Sequence, residues 1–291
     1  MIKNPGRVLR EKLAKPGILM APGVYDGISA RVVEQAGFEL AYQTGAGVAA
    51  GAIAQPDIGL TTMNDTVNVC RALAMKLNIP LICDADTGYG NALNAIRTVH
   101  EFEMAGAAAI QMEDQAAPKR CGHLSGKTVI PADEYLQKLK AVLKERYYAD
   151  TVVVARTDAR AAVGFDDAAE RAKRYIDAGA DVLFFEAPQS VEEIEKVAKL
   201  FARQIPVLIN QVIGGRTPEL TAGEFEQLGF KIVIFPSIMP YYASVKLREA
   251  ADRIMADKTD RNILPGGDGS DMFRTMGLAE WQAKDREYRV D

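Results

Sequence analysis

The chain has 291 residues, of which 48% are hydrophobic and 25% are charged, values that suit a large soluble domain. Its formal net charge of −4 argues against a nucleic-acid partner and against an anionic membrane surface. It shows no membrane-spanning run and no signal-peptide core, and its three cysteines form no disulfide pattern, so we expect a cytoplasmic protein without a membrane partner.

Eight short apolar runs alternate with amphipathic segments along the chain. Continuous apolar runs are typical of parallel strands that are covered on both faces. The predicted strands are 18–21, 40–43, 81–84, 109–113, 151–157, 182–186, 207–210 and 232–235. Helical patterns between them include 92–105, 132–147, 166–178 and 191–202.

Four similar segments end in a glycine just before predicted strands 2, 4, 6 and 8. Gly37, Gly106, Gly179 and Gly229 each fit a left-handed helix cap that precedes a strand. The repeated helix-cap glycines, together with the eight strands, predict an α/β fold, namely a closed (β/α)8 TIM barrel. We expect one domain over residues 1–291. No Gly-x-Gly-x-x-Gly follows the first strand, which argues against a dinucleotide fold. Helical patterns at 242–258 and 270–288 indicate a C-terminal helical extension from about residue 242.

Acidic residues end several of the predicted strands. Asp84, Asp86, Glu113 and Glu186 would all face one mouth of the barrel, where crowded carboxylates repel one another. Lys119 and Arg156 are too few to balance them, so we expect a bound divalent cation. With only two histidines and no Cys-x-x-Cys pair, oxygen ligands and therefore Mg²⁺, or Mn²⁺, are favoured.

Two further features near the same mouth fit an anionic substrate. Arg156 can clamp a carboxylate through two parallel hydrogen bonds, and the glycines of segment 44–47 let backbone N–H groups approach an anion. The basic, glycine-punctuated loop 117–127 holds Cys121 between cations, which should lower the pKa of its thiol and suit it to proton transfer. Such a loop can close over a substrate.

Four motifs together resemble the isocitrate lyase and phosphoenolpyruvate mutase superfamily, over nearly the whole chain. They are Asp-Ala-Asp-Thr-Gly-Tyr-Gly at 84–90, Glu-Asp-Gln at 113–115, Lys-Arg-Cys-Gly-His at 119–123 and Ala-Arg-Thr-Asp at 155–158. The resemblance implies a Mg²⁺-dependent lyase that cleaves a C–C bond of a 2-hydroxy dicarboxylate to an α-keto acid, such as pyruvate, and a carboxylate. It also implies a homotetramer with exchanged C-terminal helices.

The resemblance also implies roles for individual residues. The metal would be held by Asp84, Asp86 and Glu113, partly through water. Cys121 would protonate the enolate left by cleavage, and Asp57 would lie beside the reacting centre. The expected catalytic residues are Cys121, Asp57, Lys119, Arg156 and Glu186, and the expected substrate contacts are Tyr42, Thr44, Gly45, Ala46, Gly122, His123 and Asn210.

Two alternatives to this lyase, and the choice of substrate, stay open at the level of sequence. Members that form carboxyphosphonoenolpyruvate-type phosphonates share the Lys-Arg-Cys-Gly-His-Leu loop, so a phosphonomutase is the second hypothesis, and a barrel that has lost catalysis is the third. Within the lyases, 2,3-dimethylmalate-type and 2-methylisocitrate-type substrates both fit. Ile213 stands where such relatives usually carry Glu, whereas Pro236 resembles the lyases rather than the oxaloacetate hydrolases, which tend to have Ser.

Overall fold

The structure, a computed structural model, describes residues 2–122, 126–261 and 263–290. Eight parallel strands close into a barrel in sequence order, which confirms the predicted (β/α)8 fold. The strands are β1 Leu19–Val24, β2 Ala41–Gln43, β3 Leu81–Asp84, β4 Ala109–Glu113, β5 Val152–Thr157, β6 Val182–Phe185, β7 Val207–Asn210 and β8 Ile232–Phe235.

The first strand extends further than its sequence predicts. An end at residue 21 is expected because Pro22 and Gly23 follow, yet β1 continues to Val24. Gly23 permits this because it has no side chain to collide with the chain at the end of the adjacent strand β8: an added Cβ would lie 2.1 Å from the carbonyl oxygen of Pro236. The other predicted strands agree to within one residue at each end.

Among the described residues, one helix precedes the first strand, nine lie between strands in the sequence, and three come after β8. They are α1 Pro5–Leu13, α2 Gly27–Gln35, α3 Gly45–Ile53, α4 Met63–Ala74, α5 Ala92–Ala105, α6 Ala132–Glu145, α7 Ala159–Ala162, α8 Phe165–Asp177, α9 Val191–Phe201, α10 Ala222–Leu228, α11 Ile238–Asp257, α12 Asp271–Thr275 and α13 Leu278–Tyr288. The four glycines that precede β2, β4, β6 and β8 have φ between 90° and 101°, so the predicted left-handed positions are confirmed.

Successive side chains along a strand face two different cores, one between the barrel and the helices and one inside the barrel. On β4, Ile110 and Met112 pack in the layer between barrel and helices, whereas Ala109 packs in the barrel interior. Gln111 and Glu113 share the inward parity of Ala109, because side chains two residues apart lie on the same face of a strand. The interior is apolar near the N-terminal ends of the strands, where Leu9 from α1 joins it, and polar near their C-terminal ends.

The C-terminal segment packs on the outside of the barrel, where Arg31 and Gln35 of α2 donate to the carbonyl oxygen of Thr275. Helix α11 begins at Ile238, four residues before the helical pattern at 242–258, and it buries none of its residues. The second predicted helix, 270–288, is two helices, because Gly277 takes a left-handed φ of 88° between α12 and α13. Over the described ranges, no helix is both long and apolar enough to cross a membrane.

Candidate active site

A small cavity of about 60 Å³ lies at the C-terminal ends of the strands, where the inward-facing polar residues converge. Its wall includes twelve of the fifteen predicted site residues: Tyr42, Thr44, Ala46, Asp57, Asp84, Glu113, Lys119, Cys121, Gly122, Arg156, Glu186 and Asn210. Gly45 and Asp86 adjoin this wall, and the predicted substrate contact His123 lies outside the described residues.

Asp84 and Asp86 lie together at the end of β3. The Oδ1 atom of Asp84 accepts hydrogen bonds from the backbone N–H of Asp86 at 3.1 Å and from Gln111 at 3.2 Å. Asp86 adopts a left-handed φ of 48°, a conformation that costs a non-glycine residue on the order of 1 kcal/mol. Burial, and then repulsion from Asp86, raises the pKa of Asp84 to about 6.

The arrangement of these acids fits a divalent cation. An added Cβ on Gly45 would lie 2.8 Å from Asp84 Oδ2 and 3.4 Å from Asp86 Oδ1, so only a glycine leaves space beside both oxygens. Among the residues that the structure describes, Glu113 Oε1 is buried without a hydrogen-bond partner, and burial raises the pKa of this carboxyl. Within the described ranges, no three His, Cys, Asp or Glu residues are grouped closely enough to hold an ion alone. These acids could therefore supply only a few direct ligands to a cation, and water would complete its shell.

Lys119 connects the 117–127 loop to the acidic end of β3. Its Nζ lies 2.5 Å from Asp57 Oδ1 and 2.7 Å from Asp86 Oδ1, and its side chain is buried. Burial opposes the charge of Lys119, but Asp86 and Asp57 outweigh it and hold its pKa well above the ordinary value. Lys119 is thus a permanent positive charge in the cavity wall.

Arg156 is oriented by a carboxylate that also holds the loop. Its guanidinium donates to both oxygens of Asp158, at 2.8 and 3.1 Å, and lies 3.4 Å from Glu113 and 3.5 Å from Glu186. Lys127 Nζ lies 2.6 Å from Asp158 Oδ1. Burial alone would raise the pKa of Asp158, but Arg156 and Lys127 lower it to about 2, so this carboxylate stays ionised.

The described part of the loop lies directly over the cavity. The N–H of Cys121 donates to the carbonyl oxygen of Asp57 at 3.2 Å, and Lys127 donates to the carbonyl oxygen of Gly122 at 2.5 Å. An added Cβ on Gly122 would lie 2.1 Å from Glu186 Oε1 and 2.6 Å from Arg156 Nη2. Glycine is therefore needed for the loop to approach these side chains so closely, and this approach places Cys121 in the cavity wall.

The start of helix α3 faces the cavity beside the acids. Thr44 is its N-cap, and Gly45 and Ala46 open its first turn, where backbone N–H groups have no partner within the helix. Within the described residues, the Thr44 side chain makes no capping hydrogen bond, whereas Thr62 and Thr221 both cap their helices. These N–H groups and the Thr44 hydroxyl thus offer donors to an anion.

The wall on the β7–β8 side is largely apolar. Val212, Ile234 and Pro236 line it, with Ser237 at its edge. Phe184 of β6 also lines the cavity, but its ring packs against the guanidinium of Arg156, 5.0 Å from the ring centre. Ile213, which the sequence marks as a departure from its relatives, is 55% exposed and does not line the cavity. The charged groups therefore cluster on the β2–β6 side of the cavity.

Three residues that build the site are absent from the sequence-based list. Asp158 ends the Ala-Arg-Thr-Asp motif and Lys127 ends the basic loop 117–127, but nothing in the sequence indicates that they contact each other. Gln111, fully buried between Tyr42 and Asp84, carried a usable signal: it is a polar residue inside an apolar strand, with the same parity as Glu113.

Fold and site together define a TIM-barrel enzyme whose cavity, at the C-terminal ends of the strands, brings buried acids next to a lysine and an arginine. A model of the phosphoenolpyruvate phosphomutase family matches residues 9–255. The chain belongs to the phosphoenolpyruvate mutase/isocitrate lyase superfamily, as the motifs predict.

Several characterised relatives span nearly the whole chain. A 2-methylisocitrate lyase of Aeropyrum pernix is 42% identical, covering 98% of this chain and 92% of the relative. A 2,3-dimethylmalate lyase of Eubacterium barkeri is 40% identical, covering 90% of each. A chloroplastic carboxyvinyl-carboxyphosphonate phosphorylmutase of Arabidopsis thaliana is 40% identical, covering 80% of this chain and 69% of the relative.

Solved structures agree with the fold in detail. An oxaloacetate acetylhydrolase in complex with 3,3-difluorooxalacetate superposes with a TM-score of 0.95 at 33% identity, covering 99% of this chain and 98% of the other. The superfamily thus includes lyases, a hydrolase and a phosphorylmutase on one scaffold. The choice among these reactions depends on the details of the cavity.

Proposed function

We propose that the protein is a carbon–carbon lyase that cleaves a 2-hydroxy dicarboxylate, of the 2,3-dimethylmalate or 2-methylisocitrate type, into an α-keto acid such as pyruvate and a carboxylate. The observation that carries the proposal is the position of Cys121: the loop holds this thiol in the wall of a cavity that also contains Asp84, Glu113 and Arg156. A lyase needs this combination of a carboxylate-binding wall and a proton donor. The lyase relatives support the proposal.

The residues of the chain divide the work as follows. Arg156, the Thr44 hydroxyl and the first N–H groups of α3 bind the substrate carboxylate next to the hydroxyl-bearing carbon. A carboxylate in the cavity wall takes the proton of the C2 hydroxyl, so that C2 becomes a carbonyl as the C2–C3 bond breaks. The electron pair of that bond passes to C3 and its adjacent carboxylate, giving an enolate. Cys121 donates its proton to C3, which completes the second product, and Lys119 supplies fixed positive charge near the developing anion.

We also propose Mg²⁺, with Mn²⁺ as a substitute, as the cofactor. Asp84, Asp86 and Glu113 would hold it, with Glu113 acting through water. When bound, the ion polarises the oxygens of the substrate and offsets negative charge. Closure of the loop, fixed by Lys119 and Lys127, excludes bulk water from the cavity during cleavage.

A phosphonomutase is the second candidate, favoured by the plant phosphorylmutase relative. One experiment separates the two. The protein is incubated with Mg²⁺ and a panel of 2-hydroxy dicarboxylates, and the release of pyruvate or glyoxylate is coupled to lactate dehydrogenase. Parallel samples with oxaloacetate and with a carboxyphosphonoenolpyruvate-type compound are followed by NMR. Turnover of a 2-hydroxy dicarboxylate is the expected result, and turnover restricted to the phosphonate or to oxaloacetate would overturn the lyase assignment.

We further propose a cytoplasmic homotetramer with exchanged C-terminal helices. Helix α11 buries none of its twenty residues and exposes Tyr242 and Leu247. Beside its start, an apolar groove runs over β1 and β8, lined in part by Pro22, Phe38 and Phe235. These apolar surfaces support the proposal, and we expect light scattering after size-exclusion chromatography to show four chains. A monomer at micromolar concentration would contradict the exchange.

A further inference from the structure

Gln111 joins two residues of the proposed site inside the barrel. It lies in the middle of β4 with no exposed surface. Its Oε1 atom lies 2.9 Å from the hydroxyl of Tyr42, and its Nε2 atom lies 3.2 Å from Asp84 Oδ1. The side chain of Tyr42 is almost completely buried and lines the cavity.

The direction of these two hydrogen bonds is fixed by chemistry. Asp84 Oδ1 already accepts the backbone N–H of Asp86, so it acts as an acceptor and the group facing it must donate. The amide nitrogen of Gln111 therefore faces Asp84, and its amide oxygen faces Tyr42. An amide oxygen can only accept, so the single proton of the Tyr42 hydroxyl points at Gln111.

This direction leaves the Tyr42 oxygen with only lone pairs to offer the cavity. Burial, and then the charge of Asp84, raises the pKa of Tyr42 well above its ordinary value, so the hydroxyl keeps its proton. It therefore accepts a hydrogen bond from a ligand and cannot donate one while Gln111 holds its proton. A hydroxyl on the ligand meets this requirement, whereas a carbonyl oxygen facing the same atom meets lone pairs with lone pairs.

We propose that Gln111 is a positioning residue that makes Tyr42 a hydrogen-bond acceptor, so that the site selects a ligand with a hydroxyl at C2 over its 2-keto counterpart. The inference rests on the proposed function, in which the substrate is a 2-hydroxy acid and one product is a 2-keto acid. The hydrogen bond to Tyr42 is made by the substrate and lost once C2 becomes a carbonyl. Gln111 and Tyr42 together thus favour binding of the hydroxy substrate and speed release of the α-keto acid.

The test uses two ligands that the reaction does not cleave. Lactate carries a hydroxyl at C2 where pyruvate carries a carbonyl, and both are titrated into the Mg²⁺-supplied protein and followed by ligand-observed NMR, with each enantiomer of lactate run separately. In Tyr42→Phe, we expect the affinity for the lactate enantiomer that binds to fall roughly tenfold, because one neutral hydrogen bond contributes about that factor to binding. The affinity for pyruvate should change less than twofold.

A second variant removes the positioning group and keeps the acceptor. In Gln111→Met, the Tyr42 hydroxyl is free to turn and can either accept or donate, so lactate should lose less affinity than in Tyr42→Phe, while pyruvate should bind more tightly. The double variant should be no weaker for lactate than Tyr42→Phe alone, because both changes act on one hydrogen bond. Tyr135→Phe is the matched control, since its hydroxyl donates to the carbonyl oxygen of Met112 instead of to Gln111.

The ratio of lactate affinity to pyruvate affinity is the quantity that decides the test. A lactate-to-pyruvate affinity ratio that stays within twofold of wild type in Tyr42→Phe overturns the inference, as does a double variant whose losses add. Mn²⁺ affinity, measured by electron paramagnetic resonance, should stay within about threefold in Tyr42→Phe. If Gln111→Met fails to fold, the ratio in Tyr42→Phe decides alone. Because neither ligand is cleaved, absence of lyase activity on every dicarboxylate would refute the proposed function without changing this measurement.

Discussion

Lys127 and Asp158 form a buried ion pair, with Nζ and Oδ1 2.6 Å apart, and the same carboxylate binds the guanidinium of Arg156 through two hydrogen bonds. Lys127 belongs to the loop over the cavity, whereas Arg156 belongs to the barrel. One carboxylate therefore links the closed position of the loop to the orientation of the arginine that we propose binds the substrate carboxylate.

Replacing Asp158 by Asn should weaken both functions. Removing one partner of a buried ion pair commonly costs roughly 3–5 kcal/mol, because the remaining cations lose their counter-charge. We expect the free energy of unfolding in urea at pH 7 to fall by about this amount and KM for the substrate to rise at least tenfold. An unchanged KM in a folded D158N protein would show that Asp158 does not position Arg156.

The same carboxylate predicts a dependence of stability on pH. The pKa of Asp158 is about 2 in the folded protein, below the ordinary 3.8, so its contribution is complete above about pH 4 and is lost as the pH falls toward 2. This contribution is about 2 kcal/mol. The difference in unfolding free energy between wild type and D158N should therefore shrink as the pH is lowered from 5 to 3. A difference that stays constant over this range would contradict the assignment.

Gly122→Ala should prevent the loop from closing. The new Cβ would overlap Glu186 and Arg156, so the loop must lift and carry Cys121 away from the cavity. We expect kcat/KM to fall at least a hundredfold while circular dichroism and thermal unfolding change little. Gly223→Ala is the control, because its Cβ would meet nothing within 4 Å. Equal activities of the two variants would argue against a need for close approach at Gly122.

Gly45→Ala should weaken metal binding directly. Its Cβ would occupy the space beside Asp84 Oδ2, which we propose the cation uses. The dissociation constant for Mn²⁺, measured by electron paramagnetic resonance, should rise at least tenfold. Gly27→Ala is a matched control, since Gly27 also opens a helix and its Cβ would meet nothing. Equal Mn²⁺ affinities in both variants would place the metal elsewhere.

Cys121→Ser should separate chemistry from binding. The serine hydroxyl is a much weaker acid than a thiol, so protonation of the enolate carbon should fail. Cleavage should decrease at least a thousandfold, while Mn²⁺ affinity stays within twofold of wild type. Normal turnover in this variant would remove Cys121 as the proton donor.

The sequence predicted the barrel and most of the site because both depend on local patterns. Strand ends are where a barrel places its chemistry, so Asp84, Glu113 and Arg156 could be found from their positions alone. The contact of Lys127 with Asp158 could not, because it joins residues 31 positions apart through a loop whose path no local pattern sets. The break at Gly277 could not be placed either, because a single glycine inside a helical pattern is often tolerated.

The apolar wall at β7 and β8 has a consequence for how this scaffold diversifies. Val212, Ile234 and Pro236 line the cavity on the β7–β8 side, whereas the acids and cations that we propose perform the reaction lie on β2–β6 and the loop. Exchanging one apolar side chain for another there alters the space open to the far end of a substrate and leaves the charged wall in place. Mutations at these positions can therefore shift substrate preference one step at a time, without an intermediate that has lost its chemistry.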